Sequence, residues 1–106
     1  MTRVVKPINL TEQEHELLLE TSKKVGVTLK EYTESILISF MGVVLCDSPV
    51  KFQVPQKTHC MKTFAISEQV TDKVRTVCKQ RGVSQVNFIY TALMWQIALS
   101  QGAQTA

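Results

Sequence analysis

The stretch KPINLTEQ at residues 6–13 returns as KTFAISEQ at residues 62–69, a shift of 56 residues along the chain. The same shift matches further residues without a gap: Lys23 with Lys79, Gly26-Val27-Thr28 with Gly82-Val83-Ser84, Tyr32 with Phe88, and Leu37 with Leu93. An internal repeat of this length indicates two copies of one supersecondary unit. The two copies can therefore be interpreted together, position by position.

Each copy opens on a segment in which apolar and polar residues alternate, at residues 4–10 and again at residues 60–66. Alternation predicts a strand with one buried face. Ile8 and Leu10 take that face in the first copy, and Phe64 and Ile66 take it in the second. The residues between them are then predicted to face outward.

A short helix is predicted after each strand. Thr11 and Ser67 offer hydroxyl N-caps, and acidic residues follow in the first turn. Gly26 and Gly82 end the helices, as a glycine at the C′ position does. Steps of three and four residues predict the inner faces, formed by Leu18, Thr21 and Val25 in one copy and by Val70, Val74 and Val77 in the other.

A second, longer helix follows in each copy, with Thr28 or Ser84 as its N-cap. In the first copy, steps of three and four residues join Leu29, Tyr32, Ile36, Phe40 and Val43. In the second copy, ten of the twelve residues 88–99 are apolar, and we expect Tyr90 and Trp95 to lie in the core. A helix that is apolar on nearly all sides must be covered on several of them. A unit of about 45 residues cannot supply that cover alone, so the two units need each other or another chain.

These patterns divide the chain into a first unit at residues 1–45, a linker at 46–58, a second unit at 59–100, and a tail at 101–106. We expect the tail to be disordered, as chain ends often are. In the linker, Val50, Phe52 and Val54 alternate between Pro49 and Pro55. This pattern indicates that part of the linker packs in an extended form.

The composition excludes several classes of protein. Apolar residues make up 44% of the chain, which is typical of a folded domain and not of a disordered one. The longest apolar runs, at residues 36–46 and 88–99, fall short of the ~20 residues that a membrane span needs. The first residues lack a signal-peptide pattern. We therefore expect a soluble, cytoplasmic protein that does not contact a membrane.

Residues that could carry chemistry are few and scattered. Cys46, Cys60 and Cys78 are an odd number of cysteines at no metal-like spacing, and His15 and His59 form no cluster with them. Free thiols are the expectation, with a disulfide or a metal role as the alternative. No acid, base and nucleophile occur together. We therefore expect neither an enzyme nor a cofactor or metal site.

The net charge of +3 is unevenly distributed. Residues 1–43 carry five Lys/Arg against six Asp/Glu, and residues 44–58 carry two against one. Residues 59–106 carry five against two. A mildly basic second half is compatible with a nucleic-acid partner.

Strand, short capped helix, glycine and longer capped helix, in this order, resemble the ribbon-helix-helix (Arc/MetJ/CopG) DNA-binding superfamily. The resemblance rests on residues 8–12 with 26–28 and on residues 64–68 with 82–84, and both copies keep fifteen residues from cap to glycine. It covers about 80 of the 106 residues. It implies a mainly α fold with a short antiparallel β-ribbon, in which two tandem units form an intramolecular pseudo-dimer, similar to TraY-type conjugation proteins. Pairing with a second chain is the alternative.

The resemblance also implies double-stranded DNA as the partner. In that family the ribbon lies in the major groove, and the N-terminus of the longer helix holds a phosphate. The ribbon residues placed toward DNA are Val5, Pro7, Asn9, Met61, Thr63 and Ala65. The residues placed at the helix N-termini are Thr28, Leu29, Lys30, Ser84, Gln85 and Val86, and Arg3, Lys6 and Lys62 are candidates for further phosphate contacts.

The outward ribbon face departs from the family pattern. Only Asn9 and Thr63 belong to the residue types that usually recognise base edges, whereas Val5, Met61 and Ala65 can contact only a thymine methyl. A DNA-binding chain of this kind would act as a transcriptional regulator, such as a repressor, or as an accessory protein of conjugative plasmid transfer in the relaxosome. The alternative is a protein-interaction module on the same scaffold, which docks a partner or a second copy through this apolar face.

Overall fold

The computed structural model describes residues 3–46, 50–55 and 60–105. Over these residues the elements follow in the order β1 (Arg3–Leu10), α1 (Glu12–Val25), α2 (Leu29–Leu45), β2 (Cys60–Ser67), α3 (Glu68–Arg81) and α4 (Gln85–Thr105). The described chain is mainly helical, with a two-stranded antiparallel sheet. This coarse architecture is the one that the sequence predicts.

The two strands form a ribbon, paired antiparallel along their whole length. Pro7 lies opposite Thr63, which is also its counterpart in the repeat, 56 residues further along the chain. The pairing is therefore two-fold symmetric about this central pair. Pro7 has no N–H to donate, and a two-stranded ribbon tolerates such a residue because each strand has an open edge.

The two shorter helices begin and end on the predicted residues. The Thr11 hydroxyl accepts a hydrogen bond from the Glu14 N–H at 3.0 Å, and the Glu14 carboxylate accepts one from the Thr11 N–H at 2.9 Å. This capping box satisfies two backbone donors at the start of α1. Ser67 caps α3. Gly26 and Gly82 then adopt the left-handed conformation, with φ of 86° and 66°, which ends each helix.

The core lies between the inner face of the ribbon and the two longer helices. The inner ribbon residues are buried, as the alternation predicts: Ile8, Leu10, Phe64 and Ile66. α2 packs against β2, α4 packs against β1, and the two helices pack against each other. Phe40 of α2 contacts α4 directly, with ring centroids 5.3 Å from Phe88 and 5.4 Å from Trp95. Tyr90 is buried and Trp95 is half-buried, so both contribute to the core as expected.

The connecting segment at residues 50–55 packs against α4 of the second unit. The Phe52 ring stacks on Phe88 with a centroid distance of 6.0 Å, and Val50 also packs against the core. The Gln53 N–H donates to the Thr91 hydroxyl at 2.8 Å. These contacts cover one side of α4, which its apolar sequence requires.

Polar contacts join the two repeat units at both ends of α2. The Glu34 carboxylate, near the start of α2, accepts a hydrogen bond of 2.7 Å from the Ser67 N–H. Arg81, the last residue of α3, donates to the Val44 carbonyl at 2.9 Å. This bond satisfies one of the carbonyls that the end of a helix leaves without an intrahelical partner.

Three details differ from the sequence-based expectation. Val25 is 63% exposed, and Ser22 is buried in its place, because Val25 lies in the last turn of α1, just before the left-handed glycine turns the chain away. Val54 is exposed, so only the first part of the connecting segment packs. The helix α4 runs through residues 101–105, which were expected to be disordered. Extending an existing helix adds one hydrogen bond for each residue that it orders, and no proline stops α4 there.

Candidate functional site

The ribbon turns one face away from the core, and we call it the outer face. Its side chains are those that the alternation predicts: Val5, Pro7, Asn9, Met61, Thr63 and Ala65. Val5 and Met61 are 59% and 65% exposed, and Pro7 and Thr63 are also exposed. The other two residues are half-buried. The chain thus presents a two-stranded surface to solvent.

The outer face has two halves on either side of its central pair. Val5 lies opposite Ala65, and Asn9 lies opposite Met61. We call these pairs the Val5 half and the Asn9 half. Each pair is two residues from the centre, or roughly 7 Å at the usual rise of a strand. The repeat relates Val5 to Met61 and Asn9 to Ala65, so the two halves are counterparts with different side chains.

An open groove of about 470 Å³ joins the outer face to the start of α2. Among the residues predicted for the site, the groove brings together Val5, Thr28, Leu29, Lys30, Thr63 and Ala65. Thr33 and Phe64 also line the groove and were not predicted. Thr33 lies one helical turn after Leu29, and this spacing alone would have predicted that the two residues share one face of α2. The ribbon face and a helix N-terminus therefore open on the same side of the molecule.

The start of α2 carries its own negative charge. The Thr28 hydroxyl accepts a hydrogen bond from the Glu31 N–H at 3.2 Å and lies 3.1 Å from the Glu31 carboxylate, to which it donates. A carboxylate in the first turn is stabilised by the positive end of the helix dipole. Glu31 therefore neutralises part of the potential that would attract another anion. Lys30 is exposed beside it.

The start of α4 has the same kind of hydroxyl cap but lacks the negative charge found at the start of α2. The Ser84 hydroxyl accepts a hydrogen bond from the Asn87 N–H at 3.1 Å, and Asn87 is the counterpart of Glu31. The first turn of α4 contains no acidic residue. Gln85 is half-buried, and its Oε1 has no hydrogen-bond partner among the residues that the structure describes. The dipole of α4 is thus free of an acidic neighbour in its own first turn.

The basic residues predicted for phosphate contacts lie in different surroundings. The Lys62 Nζ lies 3.0 Å from a carboxylate oxygen of Glu12, so its charge is paired. Lys6 is half-buried and belongs by alternation to the inner side of the ribbon. Burial of the nearby Cys78 thiol raises its pKa to about 11, and the positive charge of Lys6 acts in the opposite direction. The Arg3 backbone is in β1, but its side chain lies outside the described residues.

Cys46 is exposed and Cys78 is buried, and both are free thiols. The Cys60 side chain and His59 lie outside the described residues. Among the side chains that the structure describes, no three of His, Cys, Asp or Glu lie close enough together to hold a metal ion. Within residues 3–46, 50–55 and 60–105, no helix has both the length and the apolar character needed to cross a membrane.

Comparisons with known proteins identify no relative of this chain. No protein-family model, curated protein or solved structure matches the chain. The outer face, the groove and the two helix starts are therefore the features of the chain that bear on its function.

Proposed function

We propose that this chain binds duplex DNA by placing its two-stranded ribbon in the major groove. The observation that carries the proposal is the groove in which the outer face and the start of α2 meet. A protein that reads DNA needs side chains that reach base edges and other groups that hold the phosphates beside them. A major groove about 12 Å wide admits a two-stranded ribbon. Both kinds of contact can then be made from one side of the molecule.

We infer that the two repeat units form an intramolecular pseudo-dimer of ribbon-helix-helix units. Supporting this inference, Pro7 pairs with its own repeat counterpart, Thr63. The longer helices agree with it, because α2 packs against β2 while α4 packs against β1. Such a chain completes its own ribbon and needs no second copy to do so.

The outer face supplies the base contacts in this proposal. Asn9 has an amide that can bind the N6 and N7 edge of adenine with two hydrogen bonds, and Thr63 has a hydroxyl that can donate or accept. Val5, Met61 and Ala65 contact thymine methyl groups. The central and Asn9 positions therefore carry most of the hydrogen-bonding specificity.

The helix starts supply the phosphate contacts. Free backbone N–H groups at a helix N-terminus hold a phosphate without reading sequence. Thr28, Leu29 and Lys30 occupy this position in the first unit, and Ser84 and Gln85 occupy it in the second. Lys30 adds a side-chain charge next to the groove.

The biological output that we propose is transcriptional regulation, such as repression, or an accessory role in conjugative plasmid transfer. Both outputs use the same DNA-binding surface. The duplex that the protein prefers distinguishes the two outputs. A transcriptional regulator would prefer the region upstream of its own gene, and an accessory protein of conjugation would prefer a transfer origin. Competition between these two duplexes measures the preference directly.

The test is a titration of the protein into fluorescently labelled duplexes, random and cognate, at two salt concentrations. Binding through phosphates must weaken steeply as salt rises. The double variant Asn9→Ala/Thr63→Ala should lose affinity for the cognate duplex more than for the random one. Thr76→Ala, an exposed change on α3, is the matched control. Equal losses on both duplexes would contradict the base contacts, and no binding at low salt would contradict DNA binding itself.

A second candidate function is the docking of a protein partner or of a second copy. It is favoured by the exposed apolar side chains of Val5 and Met61 on the outer face. A further apolar groove of about 450 Å³ lies between α2 and α3, where Ile38 and Leu45 are half exposed. Apolar docking depends little on salt. Salt-insensitive self-association in sedimentation, without DNA binding, would favour this candidate.

A further inference from the structure

We propose that the two halves of the outer face recognise different base sequences, so that the DNA target is non-palindromic and is bound in one orientation. This inference rests on the proposed DNA binding and names the kind of duplex that it selects. It follows from the pairing register of the ribbon together with the repeat.

The register shows where the symmetry of the surface is broken. A two-fold rotation about the central pair exchanges Asn9 with Ala65 and Val5 with Met61. In a dimer of identical chains the exchanged positions would carry the same residue. Here an amide is exchanged with a methyl group, at two positions that are both half-buried. The backbone of the ribbon is therefore symmetric in its pairing, while its hydrogen-bonding surface is not.

The two halves differ in the bases that they can recognise. The Asn9 amide offers one acceptor and two donors, which suits the major-groove edge of adenine. The Val5 half offers only methyl groups, which can contact a thymine methyl but make no hydrogen bond. The halves are separated by roughly 13 Å along the ribbon. Base steps rise about 3.4 Å, so each half meets different base pairs.

The starts of α2 and α4 also differ, in the charge that each presents to a DNA phosphate. The start of α2 shares its groove with Val5 and Ala65 and carries the Glu31 carboxylate. The repeat makes the start of α4 the counterpart that accompanies the Asn9 half, and Asn87 replaces the carboxylate there. An uncompensated helix N-terminus binds an anion better than one with an acidic neighbour. The stronger phosphate contact and the stronger base contact therefore fall on the same half of the site.

The first experiment selects duplexes from a randomised library with the full-length chain, at low salt, and sequences the bound fraction. We expect a non-palindromic consensus with an adenine on one side only. Replacing that adenine should lower affinity about tenfold or more, since a bidentate contact discriminates by roughly 1–3 kcal/mol. A palindromic consensus would overturn this inference and leave DNA binding intact. Failure to enrich any duplex would overturn both.

The second experiment makes the Val5 half and the Asn9 half of the outer face alike. The double variant Met61→Val/Ala65→Asn gives both halves the same pair of residue types, valine and asparagine. We expect it to bind a palindrome of the adenine-containing half-site about tenfold or more tightly than the original chain does. No gain on that palindrome, with an unchanged unfolding temperature, would overturn the inference.

A third variant removes the hydrogen-bonding difference between the two halves. Asn9→Ala gives that position the same residue as its counterpart Ala65. We expect the preference for adenine to disappear while salt-dependent binding to random duplex is retained. This variant truncates a half-buried strand residue, so it also tests the inference if the double variant does not fold. An adenine preference that survives Asn9→Ala would overturn the assignment.

Discussion

The helices α2 and α4 are counterparts in the repeat and pack against each other in the core, yet they present different chemistry at their starts. Both begin on a hydroxyl cap, Thr28 in one and Ser84 in the other. Three residues later α2 has Glu31 and α4 has Asn87. The caps that define the fold are thus preserved between the copies, while the charge at the surface is not.

The two helices also differ in what covers them. Phe88 of α4 lies against both Phe40 and the connecting segment, whose Phe52 stacks on it. Tyr32, the counterpart of Phe88, is buried with its hydroxyl lacking a hydrogen-bond partner among the described residues. Both rings are therefore buried, and only the first unit buries a hydroxyl with its ring at this position. Substitutions at matched positions test how far the two copies have diverged.

The largest effect is expected from Phe88→Ala. This change removes a fully buried ring from the centre of the aromatic cluster, and such truncations cost about 3–5 kcal/mol. That is a large part of the total stability of a small domain, which is roughly 5–15 kcal/mol. Urea unfolding followed by circular dichroism measures the loss. Phe52→Ala, at a half-buried ring, should cost less, and the reverse order would contradict the role given to Phe88.

The two helix-ending glycines should be equivalent. Gly26→Ala and Gly82→Ala each force a side chain into the left-handed region, at a cost of about 1–2 kcal/mol. No atom lies within 4 Å of the added Cβ at either position, so only the backbone is strained. Gly42→Ala inside α2 is the control and should stabilise the protein by up to about 1 kcal/mol. Unequal free energies of unfolding for the first two variants would show that the turns have diverged.

Tyr32→Phe should make the first copy resemble the second at this position. The change removes a buried hydroxyl that has no hydrogen-bond partner among the described residues, and leaving such a group unpaired costs about 1–3 kcal/mol. We expect the free energy of unfolding to rise by about 1 kcal/mol. A decrease of that size in the urea titration would mean that the hydroxyl is hydrogen-bonded in solution.

The two shorter helices should contribute differently to the pH dependence of stability. Buried Cys78 of α3 can lose a proton at alkaline pH, whereas its counterpart in α1 is buried Ser22. Burial raises the pKa of Cys78 from 9.0 to about 11. The unfolded chain therefore loses this proton first, and stability falls as pH rises through that range, by about 1 kcal/mol near pH 10. Burial and the charge of Glu14 also raise the pKa of Tyr90, which acts in the same direction.

The variant Cys78→Ser isolates the thiol from the tyrosine. Its free energy of unfolding should fall less between pH 8.5 and 11 than that of the original chain. The buried Ser22 hydroxyl donates to the Leu19 carbonyl at 2.7 Å, which shows that a helix of this type accommodates serine at the counterpart position. Parallel pH profiles for the two proteins would contradict the contribution of Cys78.

The smallest effect concerns the helix starts and the proposed DNA contact. Glu31→Asn should strengthen binding to random duplex at low salt by about two- to fivefold, since a charge at a helix terminus contributes roughly 0.3–1 kcal/mol. Asn87→Glu should weaken binding by a similar factor. Anisotropy titrations of both variants give the comparison. Changes of the same sign in the two variants would contradict the role of the helix dipoles.

Local patterns in the sequence predict most of the fold. Hydroxyl residues before the helices and glycines after them predict where the helices begin and end, and alternation predicts which face of the ribbon is outward. These predictions succeed because caps and strand faces depend on residues that are close in sequence. Val25 shows the limit of periodicity, since a helix end can leave an apolar residue on the predicted stripe without a neighbour to cover it.

The candidate site is predictable only in part. Its residues follow from the strand faces and the caps, but the pairing of Lys62 with Glu12 and the bond from Arg81 to the Val44 carbonyl join residues far apart in sequence. No local pattern specifies such contacts. The groove beside Val5 likewise exists only once β2 is packed against α2.

The ribbon draws both of its strands from one chain, so its assembly does not depend on the concentration of the protein. Strands contributed by separate chains part on dilution, because their pairing is an association equilibrium. Strands within one chain instead stay at an effective local concentration that dilution does not change. The segment at residues 50–55, held on α4 by Phe52 and Gln53, takes up part of the connection between the two units. A single molecule therefore keeps its whole outer face at any cellular abundance.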